Sequence, residues 1–253
     1  MRRFLAALLL CCATAAPVAA AVVTINSSTL VTEAYNVTYD TDTDNSTAYG
    51  TRTLTSAVGG SSSTTLVDWQ HTGSDALFNF DFAQARTGAS GAYAYTREST
   101  LIFTVGPAST TYSLSGLYSM TGPANRTYSG VSLVDASTGL LLFRDISESR
   151  NTANEIFSLG VAGDGDYGNT TLGSLTGTLL AGRTYYLSFE HFIQAFPLRD
   201  GGATATGCLT LSIGGATGGG DCGVPAVPLP AAAWLLLSGL GGLGVLGLRR
   251  KAA

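Results

Sequence analysis

Between residues 22 and 213, apolar and polar residues alternate in short runs punctuated by Gly, Ser, Asn and Asp. In ALFNFDFA, Phe78, Phe80 and Phe82 share one phase, while Asn79 and Asp81 hold the other. STLIFTV repeats the pattern with Leu101, Phe103 and Val105. RTYYLSFEHFI sets Tyr185, Leu187, Phe189 and Ile193 against Tyr186, Ser188 and Glu190, and CLTLSI offers Leu209, Leu211 and Ile213. A period of two places one set of side chains in a core and the other in water, as in antiparallel sheets. The abundant Thr, Tyr and Val suit a pleated surface. No internal segment carries an apolar stripe of helical period over ten residues. Many short strands between turn signals predict an all-β fold, a single jelly-roll-like β-sandwich over residues 22–213, favoured over two smaller sandwiches.

The pattern changes at both ends. MRRFLAALLLCCATAAPVAAAVV has two arginines, an apolar stretch and a small-residue exit, the layout of a secretory signal peptide over residues 1–21. Val18-x-Ala20 and Ala19-x-Ala21 both fit the cleavage rule, so the mature chain is expected to start at Ala21 or Val22. Leu10 and Cys11 are too bulky to precede a lipidated cysteine, so lipidation is not expected. Residues 214–226 are rich in Gly and then Pro and read as a linker. Residues 227–253 follow as a separate unit. Eighteen uncharged residues, Ala231 to Leu248, precede Arg249, Arg250 and Lys251. As a helix that run spans about 27 Å, enough for a bilayer core. Five of the eighteen are glycines, which destabilise a soluble helix by roughly 1 kcal/mol each and are better tolerated in membranes. The basic end predicts a cytoplasmic C-terminus with the sandwich on the opposite side.

Five of the thirteen basic residues lie in these termini, leaving eight against seventeen acidic residues between them, a net charge of −9. Such a surface repels phosphate backbones and excludes nucleic acid as a partner. Export places Cys208 and Cys222 in an oxidising compartment, where a disulfide would close a glycine-rich loop; two free thiols are the alternative. Asp40, Asp42 and Asp44 alternate like the first half of a calcium loop. However, Asn45 stands where such a loop needs glycine and Thr51 where it needs glutamate, leaving weak calcium candidates beside the reading as solvated turns. Asp164 and Asp166 occupy another such turn. His71 and His191 are the two histidines, and no G-x-S-x-G elbow accompanies them. No catalytic residue, metal or cofactor is expected. The sequons at Asn26, Asn36, Asn45, Asn125 and Asn169 would suggest glycosylation in a eukaryotic secreted protein and would mostly be accidents of a Ser/Thr/Asn-rich composition in a bacterial one.

Val227, Pro228, Leu229, Pro230 and Ala231, followed by Trp234-Leu235, Ser238-Gly239-Leu240, Leu243 and Arg249-Arg250, resemble the VPLPA variant of the PEP-CTERM sorting domain. The resemblance covers about 25 residues at the end of the chain. It implies a Gram-negative exported protein, held in the inner membrane until an exosortase-type membrane protease processes it, then placed at the cell surface or outside. Such proteins go with exopolysaccharide and biofilm. The prolines keep the motif extended, as a protease site requires. The expected function is therefore a non-enzymatic surface or matrix protein with a structural or adhesive role. The alternative is a carbohydrate-binding module, with exposed tyrosines or Trp69 stacking on extracellular polysaccharide and calcium in the acidic turns. A secreted hydrolase is the third reading.

Overall fold

The computed structural model describes residues 23–72, 75–88, 90–161, 170–195 and 201–216, except the side chains at 97–99, 125, 151–153 and 155. Twelve strands fill them. They are β1 (Val23–Asn36), β2 (Thr38–Asp44), β3 (Gly50–Val58), β4 (Ser61–Thr72), β5 (Asp75–Arg86) and β6 (Tyr93–Val105). Then come β7 (Thr110–Asp135), β8 (Leu140–Ser158), β9 (Thr170–Gly173), β10 (Thr176–Leu179), β11 (Thr184–Gln194) and β12 (Ala203–Ile213). All pairings are antiparallel. The four runs singled out by alternation lie in β5, β6, β11 and β12, with their apolar phase buried.

Two layers arise because one strand belongs to both. The first half of β7 pairs with β12, from Tyr112↔Ile213 to Thr121↔Thr204. Its second half pairs with β11, from Arg126↔Gln194 to Asp135↔Tyr185. One layer thus runs β2-β1-β6-β11-β7 and the other β7-β12-β5-β4-β3. β8 follows β7 across both layers, and its register slips between Thr121 and Ala124. Gly122 and Pro123 sit at that slip. Gly122 has φ +93°, and a Cβ there would lie 2.5 Å from the Gly202 carbonyl oxygen, so the corner needs glycine.

The inner faces meet in an aromatic core. Phe80 of β5 reaches Phe189 of β11 at 4.4 Å between ring centres, and Trp69 of β4 lies 6.5 Å from Phe103 of β6. Trp69 is 0% exposed. It is a core residue and does not face a ligand, which corrects the expectation that it stacks on sugars. Its place in the inward phase of β4, with Val67 and Thr65, accounts for this. Towards one end the interior turns polar. Thr32 donates to the Ser63 hydroxyl at 2.7 Å, and Gln84 donates to Thr96 at 3.2 Å and to the His191 carbonyl at 3.1 Å.

The predicted calcium candidates take up a different task. Asp40 accepts from the Ala57 N–H at 2.6 Å and Asp42 from the Thr55 N–H at 3.0 Å, both on β3. Asp44 accepts from the Ser46 N–H at 2.7 Å and lies 3.5 Å from Arg52. Alternate aspartates on β2 match alternate free N–H groups on β3, because both strands repeat every two residues. The carboxylates close the seam between the layers and cover an edge that would otherwise pair with another chain. Among the described residues no group of three metal-ligating side chains converges.

Cys208 is disulfide-bonded. Cys222, its predicted partner, lies outside the described residues, as do Asp164 and Asp166, the signal peptide, the linker from Thr217, and the sorting segment Val227 to Ala231 with Arg249, Arg250 and Lys251. The sequon residue Asn36 uses its side-chain amide within the fold, donating to the Gly59 carbonyl and the Thr87 hydroxyl.

Candidate functional site

A solvent-facing groove crosses the outer face of β6, β11, β7 and β8. Strand register builds it. Tyr95 is opposite Phe192, Phe192 opposite Tyr128, and Tyr128 opposite Glu148, so three rings and a carboxylate form one row across four strands. The next row up β11 carries Glu190, with Gly130 and Ile146 beside it. The row after that brings Thr100, Ser188, Ser132 and Arg144 together. Tyr95, Arg126, Tyr128, Glu190 and Phe192 line a recess of about 360 Å³. Tyr128 and Glu190 also line an adjoining recess of about 240 Å³ with Thr100, Gly130, Ser132, Arg144 and Ser188.

Gly130 opens the floor between the two recesses. A Cβ at this position would lie 2.9 Å from the Tyr128 hydroxyl and 3.2 Å from Glu190 Oε1. Glu190 is held from both sides: the Tyr95 hydroxyl donates to its Oε2 at 2.8 Å, and the Tyr128 hydroxyl is hydrogen-bonded to it as well. Burial, together with the bond to Glu190, pushes the Tyr128 phenol well above the usual tyrosine range. It therefore stays a protonated donor. The aromatic row is braced in turn. Phe192 meets Tyr95 edge-on at 5.1 Å, and the Arg126 guanidinium lies 5.8 Å from the Phe192 ring and 5.9 Å from Tyr128. Arg126 Nε reaches Glu148 Oε1 at 2.9 Å, and Arg150 Nε reaches the same oxygen at 3.2 Å. Beyond Phe192 the aromatic surface continues through Tyr93 at 5.6 Å to Tyr35 at 5.2 Å and exposed Tyr39.

This arrangement gathers aromatic rings, a carboxylate and hydroxyl groups on one open sheet face along the strands. It suits a ligand with flat C–H surfaces and many hydroxyls. The structure does not bring either histidine into it. His191 points inward from β11 and is 0% exposed. Its Nδ1 lies 2.8 Å from Gln84 Oε1; because that oxygen only accepts, Nδ1 carries the proton. His71, on β4 in the other layer, packs beside the Tyr49 ring at 5.5 Å.

The groove residues do not stand out by position in the sequence, because they occupy the wet phase of their strands. A signal was available there. Phe192 is an apolar ring in the outward phase of β11, and Tyr93 and Tyr95 alternate with buried Ala92 and Ala94. Aromatics on the phase that should be polar mark a sheet face with something to bind.

No protein-family model matches the chain, and no curated protein matches it. Among solved structures it resembles, at TM-score 0.27 and 8% identity, a chain of infectious bursal disease virus Gx strain, with 78% of this chain and 58% of the viral chain covered. It thus spans less than two thirds of the viral chain. It also resembles the family 11 carbohydrate-binding module of the cellulosomal cellulase Lic26A-Cel5E of Clostridium thermocellum (TM-score 0.20, 9% identity, 64% of this chain and 88% of that one). A family 11 module from the same organism, in complex with a β-1,3-1,4-mixed-linked tetrasaccharide, gives TM-score 0.19 and 10% identity over 72% of this chain and 95% of that one. Scores this low carry no weight for fold or ligand.

Proposed function

We propose that this chain is an exported polysaccharide-binding protein of the cell surface or extracellular matrix, and that its adhesive role resides in the groove on the outer face of β6, β11, β7 and β8. One observation carries the reading: Tyr95, Phe192 and Tyr128 stand in one cross-strand row, beside a carboxylate in the next row that two phenols grip. Sugar rings stack on aromatic faces while their hydroxyls bond to the carboxylate between them, and a matrix or adhesion protein needs such a surface. The role we propose is non-enzymatic; His191 lies in the core, away from the groove.

Affinity electrophoresis and calorimetry against a panel of soluble polysaccharides test it. Binding to at least one polymer is expected. Replacing Tyr95 or Phe192 by alanine should weaken it at least about tenfold, the loss typical of a truncated aromatic anchor. Failure of the wild-type protein to bind any polysaccharide would overturn the reading.

The route to the surface is the second half of the proposal. The VPLPA-type segment, apolar run and basic end are proposed to hold the chain in the inner membrane, sandwich outward, until an exosortase-type protease cuts near Val227 to Ala231. Mass spectrometry of the mature protein should find no peptide reaching Ala253. Mature material that all extends to Ala253 would refute processing.

A further inference from the structure

The body is strongly acidic, yet its cations are not spread evenly. Of its eight arginines, three (Arg126, Arg144 and Arg150) stand on the outer face of the β7–β8 pair beside the groove. Arg126 and Arg150 both reach the carboxylate of Glu148. Arg144 is exposed at the opposite end of the groove, and no carboxylate lies within ion-pair distance of it among the described residues. With Glu190 included, the charged side chains described on this strip sum to +1, on a body of −9. A local reversal of sign on an acidic protein is where an anionic polymer can approach.

The geometry points to an acidic polysaccharide, of the uronic-acid class, as the ligand of this groove; the inference rests on the polysaccharide-binding reading above. Tyr95 and Phe192 give the stacking end. Arg144 gives the anion end, where its fork of N–H donors matches a sugar carboxylate in two parallel bonds. Ser132 and Ser188 flank it across β7 and β11 and supply hydroxyl partners. From Phe192 to Ser188 is four residues along one strand, about 13 Å at the usual strand rise, so one short oligosaccharide spans both ends. Glu190, between them, accepts hydrogen bonds from sugar hydroxyls. The Tyr95 and Tyr128 phenols hold it in place by hydrogen bonds.

The test compares polygalacturonate and alginate with a neutral mixed-linkage β-glucan, using the full-length chain in detergent at low and high salt. The acidic polymers should bind at least about tenfold more tightly at low salt, and that preference should shrink as salt screens it. Arg144→Gln should abolish the preference while leaving the thermal midpoint unchanged. Arg144→Lys, a point charge without the fork, should restore only part of it. Neutral glucan binding as tightly as the acidic polymers, or an Arg144→Gln variant that keeps the preference, would overturn the acidic-ligand inference and leave polysaccharide binding standing. Absence of binding to every polymer would instead overturn the parent reading, and this inference with it.

Discussion

Replacing Trp69 by alanine is expected to destabilise the protein by about 3–5 kcal/mol, against a total stability of about 5–15 kcal/mol for a typical domain. Trp69 is 0% exposed and packs against Phe78 at 5.6 Å, Tyr49 at 6.0 Å and Phe103 at 6.5 Å. The Phe103 contact crosses from one layer to the other, so the cavity left by alanine opens between the sheets, where the backbone cannot collapse to fill it. Trp69→Phe should cost far less. It keeps most of the buried ring area, and it removes an indole N–H that has no hydrogen-bond partner among the described residues. Urea unfolding of both variants is the measurement. A Trp69→Ala protein with unchanged unfolding but lost polysaccharide binding would show the ring at the ligand surface and contradict its place in the core.

Acid should weaken the fold through His191, with the next largest effect. Complete burial lowers this imidazole from 6.5 to about 3. Above 6.5 the side chain is neutral in the folded and unfolded chain alike, and the full stability is present. Between 6.5 and about 3 the unfolded chain takes up a proton that the folded chain refuses, so stability falls as pH falls, by about tenfold in the folding constant per pH unit. Below about 3 both forms are protonated and this contribution stops changing. The interval from 6.5 down to about pH 5 is the most informative, because ordinary carboxylates begin to titrate below it. Unfolding midpoints across that interval should fall with a steeper slope in the wild-type protein than in His191→Gln. The variant should be less stable near neutrality, since it disturbs the bond to Gln84 and the stack on Phe82 at 4.4 Å. Equal slopes in the two proteins would show that His191 does not remain neutral in the fold.

These residues also show where the sequence was readable. Phe78, Phe80 and Phe82, or Tyr185, Leu187 and Phe189, are buried as their alternation requires, because a strand repeats every two residues and one side-chain slot decides between core and water. His191 falls in the same inward phase and is buried with them. Trp69 obeys the same rule with Val67, yet an aromatic residue in a polar run, DWQHT, invites a surface reading when its partners are out of sight. The alternate aspartates of β2 look like ligands when read along one strand. What they accept from is Thr55 and Ala57 of another strand, which local spacing does not name.

The sequence by itself determined the strand character of β5, β6, β11 and β12, their inward phase and the acidity of the body, all properties set by neighbours a few positions apart. Only the tertiary structure decided that β7 turns at Gly122-Pro123 to serve both layers, and that Tyr95, Tyr128, Glu190 and Phe192 stand side by side. Tyr95 and Glu190 are 95 residues apart along the chain and 2.8 Å apart at their hydrogen bond. The reason is physical. Alternation tells each residue which face of its strand it occupies, but strand order and register tell it which residues share that face, and those are settled by packing two sheets around one core.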